Sequence, residues 1–312
     1  MSVVDEAVGI AGVRTAARRG PSLSGLRENW WRHLIGILAG IWALFPVVYV
    51  VSAAFNADSS LSGASVIPRK VTFENFHKLF ASGAATKHIA SAADYPYWYV
   101  NTLIVAVSTA FLTVMLGALA AYAFSRFRFR GRRIGMVTLL LIQMFPQFLA
   151  LVAIYLILYN IGGIFHGIGL NTLAGLILVY LGGVMGVNTW LLKGFFDTIP
   201  AELDESARVD GATPAQVFWG VVLPLATPVL AVIALLSFIG TINEFIIASV
   251  LLQTSKHQTI IVGINAFIGN QYAQSWGPFA AGVLLAAIPV VILFMSLQKF
   301  IIGGLTQGSV KG

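Results

Sequence analysis

Six long apolar stretches dominate the chain, at 34–55, 98–124, 134–159, 172–192, 225–252 and 278–298. Five contain no Asp, Glu, Lys or Arg; the stretch at 225–252 holds one, Glu244. A helix rises 1.5 Å per residue, so even the shortest stretch reaches roughly 31 Å, enough for a hydrocarbon core of about 30 Å. The pattern predicts an all-α polytopic membrane protein with six transmembrane helices. A basic arm at 1–33, a helical bundle at 34–302 and a glycine-rich tail at 303–312 follow, with no room for a large soluble domain. Pro46, Pro146 and Pro289 fall inside the stretches and predict kinks. Trp98, Trp190 and Trp276 fall at their edges, where an amphipathic ring suits the membrane interface. Gly36-x-x-x-Gly40 and Gly182-x-x-x-Gly186 are patterns that let helices approach closely.

Composition strengthens this picture. Only 10% of the 312 residues are charged and 58% are apolar, with a mean hydropathy of +0.85. Soluble domains run at about 25% charged. No cysteine is present, which excludes disulfides, thiolate zinc sites and a cysteine nucleophile. The net charge of +7 is distributed unevenly. Arg14, Arg18, Arg19, Arg27, Arg32, the five Arg of 126–133, Lys193, Arg208, Lys299 and Lys311 fall on one side; Arg69, Lys70, Lys78, Lys87 and Lys256 fall on the other. The richer side is cytoplasmic by the positive-inside rule, which places both termini inside the cell. The Arg/Phe run at 126–133 therefore reads as a juxtamembrane anchor, not a nucleic-acid patch. The apolar run before Ser52-Ala53-Ala54 is too long for a cleaved signal peptide and is kept as the first span.

Several chemistries are missing. There is no G-x-x-x-x-G-K-[ST] loop to cradle ATP, no G-x-S-x-G and no H-E-x-x-H. The five His are scattered over termini, loops and span ends. Paired catalytic groups at membrane depth are absent, so a membrane enzyme is disfavoured, and no catalytic residue, metal or cofactor is assigned to the chain.

The loop between the fourth and fifth spans, 195–224, carries the strongest signal. Pro200 suits a helix start, Glu202, Asp204 and Glu205 suit its first turn, and Gly211 suits its end. Thr213-Pro214-Ala215-Gln216 then matches a capping box that opens a second helix. The expectation is a bent helix-glycine-helix element projecting on the cytoplasmic side. Its acids suggest a basic partner surface.

Glu205-Ser-Ala-Arg-Val-Asp-Gly211, followed after nine residues by Val221-Val-Leu-Pro224, resembles the EAA loop of ABC importer permeases, with Ser206 and Val221 as mild departures. From about residue 34 onward the chain is also similar to permease subunits of the maltose/maltodextrin type. This likeness is carried by Gln143-Met-Phe-Pro146, Ile168-Gly-Leu-Asn-Thr172, Tyr180-Leu-Gly-Gly183, Trp190-Leu-Leu-Lys-Gly194, Asp210-Gly-Ala-Thr-Pro214 and the tail 303–312. The resemblance implies a type I ABC importer permease fold in the cytoplasmic (inner) membrane. It also implies a second, different permease subunit, two copies of a cytoplasmic ATPase that holds ATP and Mg, and an extracytoplasmic sugar-binding protein. Coupling to the ATPase would fall on Glu205, Ser206, Ala207, Asp210, Gly211, Ala212, Phe218, Leu223 and Pro224. A loop facing the binding protein would include Ile268, Gly269, Asn270, Gln271 and Tyr272. A tail reaching the ATPases would include Gln307, Gly308, Ser309, Val310 and Lys311. Maltose or maltodextrin is the favoured cargo, with trehalose or a polyol as alternatives.

Glu244 lies at membrane depth beside Asn243. Such carboxylates face a bundle interior or water. The pair either lines a translocation path or braces a partner, or Glu244 is a hydrated carboxylate near the interface. An ion-coupled carrier or channel would need more buried charges or an inverted repeat; one Glu is thin support.

Overall fold

A computed structural model describes residues 30–57, 68, 70–80, 94–269 and 274–307, with the backbone alone given for 302–307. Of the expected functional positions, Asn270, Gln271, Tyr272, Gly308, Ser309, Val310 and Lys311 lie outside the described residues, as does most of the basic arm. The described residues are helical, with one isolated bridge between Asn56 and Val71.

The long helices are α1 (Trp30–Phe55), α3 (Tyr95–Arg126), α6 (Leu173–Phe196), α9 (Thr227–Asn243) and α12 (Trp276–Gln307). Shorter ones are α2 (Glu74–Phe80), α4 (Arg132–Met144), α5 (Leu151–Ile164), α7 (Ala201–Val209), α8 (Pro214–Leu225), α10 (Ile246–Leu251) and α11 (Ile260–Asn265). The described residues fall into two units, one ending at Val48 and the other beginning at Tyr49. In the first, the apolar side chains of Trp30–Val48 are largely exposed, with Trp42 at 83%.

In the second unit α3 is the spine. Its Tyr95 and Trp98 join a cluster with Leu79, Ile264 and Ala281 at one end. Val105 joins Leu176, Tyr180 and Ala248, while Ala106 and Ala110 meet Phe238 and Ile242. At the other end Ala118, Ala121 and Tyr122 pack with Leu192, Phe196, Val217 and Phe218. The buried face of α3 is rich in Thr and Ala, with one glycine, Gly117. Lipid tails are as apolar as Leu, so close van der Waals packing of such small residues holds membrane helices together.

Two of the expected spans are divided. The 134–159 stretch breaks where Pro146 forces Phe145 into extended backbone (φ −74°, ψ 123°), and a 3-10 turn at Gln147–Ala150 precedes α5. Within this stretch, the part that is by itself long and apolar enough to cross a membrane is Gln147–Ile164. The 225–252 stretch breaks at Glu244, which ends α9 with extended backbone (φ −77°, ψ 116°) before α10 begins. Pro46 and Pro289 remain within continuous helices. Helix α12 continues to Gln307, beyond residue 303 where the tail was expected to start.

Trp98 also departs from expectation. It is fully buried, its ring lies against Gly263 where a Cβ would collide with it, and its Nε1 donates to the Ser255 carbonyl at 2.7 Å. Trp190 is 51% exposed. The Gly182/Gly186 pattern packs only in part. A Cβ at Gly186 would approach the Gln143 side chain and the Leu139 carbonyl to 2.7 Å, whereas Gly182 has open space. Gly36 and Gly40 also have open space.

Candidate functional site

Residues 197–226 build a bent element at one end of the bundle. Pro200 precedes α7, and Glu202 and Asp204 occupy its first turn, where the helix dipole favours acids. The turn after α7 depends on Gly211 at φ +87°, a conformation L side chains avoid; space around its Cα is open, so backbone conformation alone selects glycine. Thr213 and Gln216 then form the capping box. Thr213 Oγ1 accepts the Gln216 N–H at 3.3 Å, and Gln216 Oε1 accepts the Thr213 N–H at 2.8 Å. Phe218–Val222 winds as a π-turn within α8, and α8 meets α9 at a bend of 77°.

The element has two faces. Glu205, Ser206, Asp210 and Gly211 are exposed, and Val209, at 87%, is an apolar tip the sequence reading missed. Ala207, Ala212 and Leu223 are half-buried against the bundle, and Pro224 is exposed. Phe218, expected among the coupling positions, is a buried anchor whose ring centre lies 5.0 Å from that of Tyr122.

The last turn of α3 gathers this element. Arg126 Nε lies 2.7 Å from Asp204 Oδ2, with side-chain exposures of 10% and 5%. The approach makes an ion pair but misses the alignment of a directed hydrogen bond. Arg126 Nη2 also donates to the Ile199 carbonyl at 3.0 Å, and the Tyr122 hydroxyl to the Pro214 carbonyl at 3.3 Å. Ser125 Oγ donates to Asp197 Oδ1 at 2.7 Å, and Lys193 pairs with the other oxygen of Asp197. Burial alone would raise the Asp197 carboxyl. Hydrogen bonds from Lys193 and Ser125, with the charges of Lys193 and Arg132, outweigh that and hold it below the usual carboxylate range.

Glu244 has a different environment. Its Oε1 accepts the Ile247 N–H at 2.8 Å and its Oε2 the Ala248 N–H at 3.0 Å, so it caps α10. The Tyr180 hydroxyl donates to Oε2 at 2.6 Å. Asn243 is exposed and donates to the Ile239 carbonyl at 3.0 Å. Nothing in the sequence connects Tyr180 to Glu244. Ile268 and Gly269 form a turn on the Asn265 carbonyl, at 3.1 and 2.8 Å. Gln307 closes α12. Among the described residues no cluster of His, Cys, Asp or Glu could hold a metal.

Residues 113–306 match the family of binding-protein-dependent transport system inner membrane components. The chain belongs to this family, and it is a multi-pass inner-membrane permease component of a transport system. The galactooligosaccharides transport system permease protein GanQ of Bacillus subtilis is 37% identical over 280 residues, covering 90% of this chain and 94% of its own length. The maltose/maltodextrin transport system permease protein MalG of Vibrio vulnificus is 39% identical over 294 residues, covering 91% and 96%. A chain of a bacterial ABC transporter crystal structure, involved in import of the acidic polysaccharide alginate, shares the fold. Its TM-score is 0.70 at 23% identity, over 90% of this chain and 99% of that one.

Proposed function

We propose that this chain is one permease subunit of an ATP-driven importer. It would carry maltose, maltodextrin or a similar di- or oligosaccharide inward across the cytoplasmic membrane. The substrate class is supported by the relatives, permease proteins of galactooligosaccharide and maltose/maltodextrin transport systems. ATP and Mg belong to a separate ATPase, present in two copies. A second permease subunit and an extracytoplasmic sugar-binding protein complete the assembly, and both termini of this chain face the cytoplasm.

One observation carries the coupling role: residues 201–224 form a bent element whose outer face is exposed and whose inner face is locked to α3 through Asp204–Arg126 and Phe218–Tyr122. The tip residues Glu205, Val209 and Asp210 enter the ATPase cleft, while the inner face relays its movement to the bundle. Asn243 and Glu244 line or brace the path, the 268–272 turn meets the binding protein, and the tail from Gln307 reaches the ATPases.

Glu205→Lys combined with Val209→Asp changes only exposed positions. This variant is expected to release the ATPase during purification while thermal unfolding of the permease stays unchanged. Undiminished co-purification would remove this element from docking.

A further inference from the structure

Between the start of α4 and the end of α6 opens a cavity of about 610 Å³. Phe129, Met136 and Trp190 give it an apolar wall; Arg132, Arg133 and Lys193 give it charge. Lys193 is paired with Asp197, a carboxylate close enough to feel Arg132 as well. Arg132 and Arg133 form no ion pair among the described residues. The cavity therefore keeps an excess of positive charge beside exposed apolar surface, at the level of the boundary ring of Trp190.

These two properties select the occupant. A soluble anion would use the guanidinium groups and leave the aromatic and thioether wall wet. A neutral lipid would cover the wall and leave two cations without a partner. An amphiphile with a phosphate at its head satisfies both. Guanidinium forks match phosphate oxygens in pairs, and basic pockets between membrane helices take anionic headgroups. We propose that this cavity binds an anionic phospholipid, with its phosphate on Arg132 and Arg133 and its acyl chains along Met136 and Trp190. The proposal rests on the inner-membrane reading of the chain, with the end of α6 at the cytoplasmic boundary, and it is independent of the sugar carried and of the ATPase contact.

The test uses the assembled importer in nanodiscs of equal parts phosphatidylcholine and phosphatidylglycerol, with retained lipid read by native mass spectrometry. Wild type is expected to hold phosphatidylglycerol in preference. Arg132→Gln with Arg133→Gln should weaken that preference about thirtyfold, from about 1 kcal/mol per basic residue near an anionic surface. Arg128→Gln with Arg130→Gln removes the same charge from the loop outside the cavity and should leave the preference largely intact. Should the glutamine pair fail to assemble, Arg132→Lys with Arg133→Lys keeps the charge, and it is expected to retain the lipid more weakly. In a second readout, phosphatidylglycerol with brominated chains should quench fluorescence more than brominated phosphatidylcholine, and the difference should vanish in Trp190→Phe. Equal retention of both lipids by wild type overturns the proposal, as does an equal loss in both glutamine pairs. Displacement of the brominated lipid by inorganic phosphate alone would make this a soluble-anion site and overturn it too. None of these readouts requires turnover, so they can fail while sugar uptake and ATPase coupling stand.

Discussion

Asp204 and Glu244 are both acids removed from bulk water, yet the protein compensates them in different ways. Asp204, at the end of the bundle that carries the bent element, faces a full positive charge on Arg126 and has no directed hydrogen bond. Glu244, in the break between α9 and α10, forms no ion pair among the described residues; two backbone N–H groups and the Tyr180 hydroxyl share its charge. An ion pair fixes distance but tolerates changes of angle. A three-donor cap fixes orientation. The first arrangement suits a joint between two elements, the second a rigid corner inside the bundle.

The largest expected effect comes from breaking the joint. Arg126→Gln leaves Asp204 buried without its counter-charge and should cost about 3–5 kcal/mol in thermal unfolding. Adding Asp204→Asn should recover much of that. If the single change costs no more than the double, the pair carries no buried charge to compensate and the contrast with Glu244 is lost. At the corner, Glu244→Ala removes a cap and a charge-assisted hydrogen bond, at about 2 kcal/mol. Glu244→Gln keeps one acceptor and should cost less; equal losses would place the role in the charge, as at Asp204. Gly211→Ala is expected to cost about 1–2 kcal/mol through backbone conformation alone, and Gly211→Asn less, because asparagine tolerates the left-handed region better. Equal losses in the two variants would point to space instead, against the open surroundings of this residue.

The smallest effect is the pH dependence of Asp197. Its folded carboxyl sits below the usual range, so its contribution is present above the ordinary carboxylate pKa of about 3.9 and fades as pH falls through the depressed folded value. The stability gap between wild type and Asp197→Asn should therefore be widest near neutrality and close in acid. A gap that widens in acid would contradict this assignment. Asp197 is partly exposed, so screening keeps the gap small.

What was legible in the sequence was local. Pro200, Gly211 and the Thr213/Gln216 box each act within a few residues of chain, and each stands where the pattern placed it. The apolar stretches also announce themselves by length. The breaks were harder to read. Pro146 suggested a kink, but not that the part long and apolar enough to cross would begin at Gln147. Glu244 terminates a helix through its cap on α10 and a partner 64 residues away, Tyr180. The Arg126–Asp204 pair joins positions that share no motif. Hydropathy counted Trp98 as a boundary ring because it cannot sense Gly263, whose missing side chain makes room for the indole.

The bend of 77° between α8 and α9 has a mechanical corollary. A thrust directed along one rod reaches the next along its axis only as the cosine of the angle between them, here about a fifth. The greater share must leave sideways, through the stacked rings of Tyr122 and Phe218 and the Arg126–Asp204 bridge, into α3. If the bent element is pushed by a partner as proposed, the helix that follows it in sequence is thus not the one that bears most of the load.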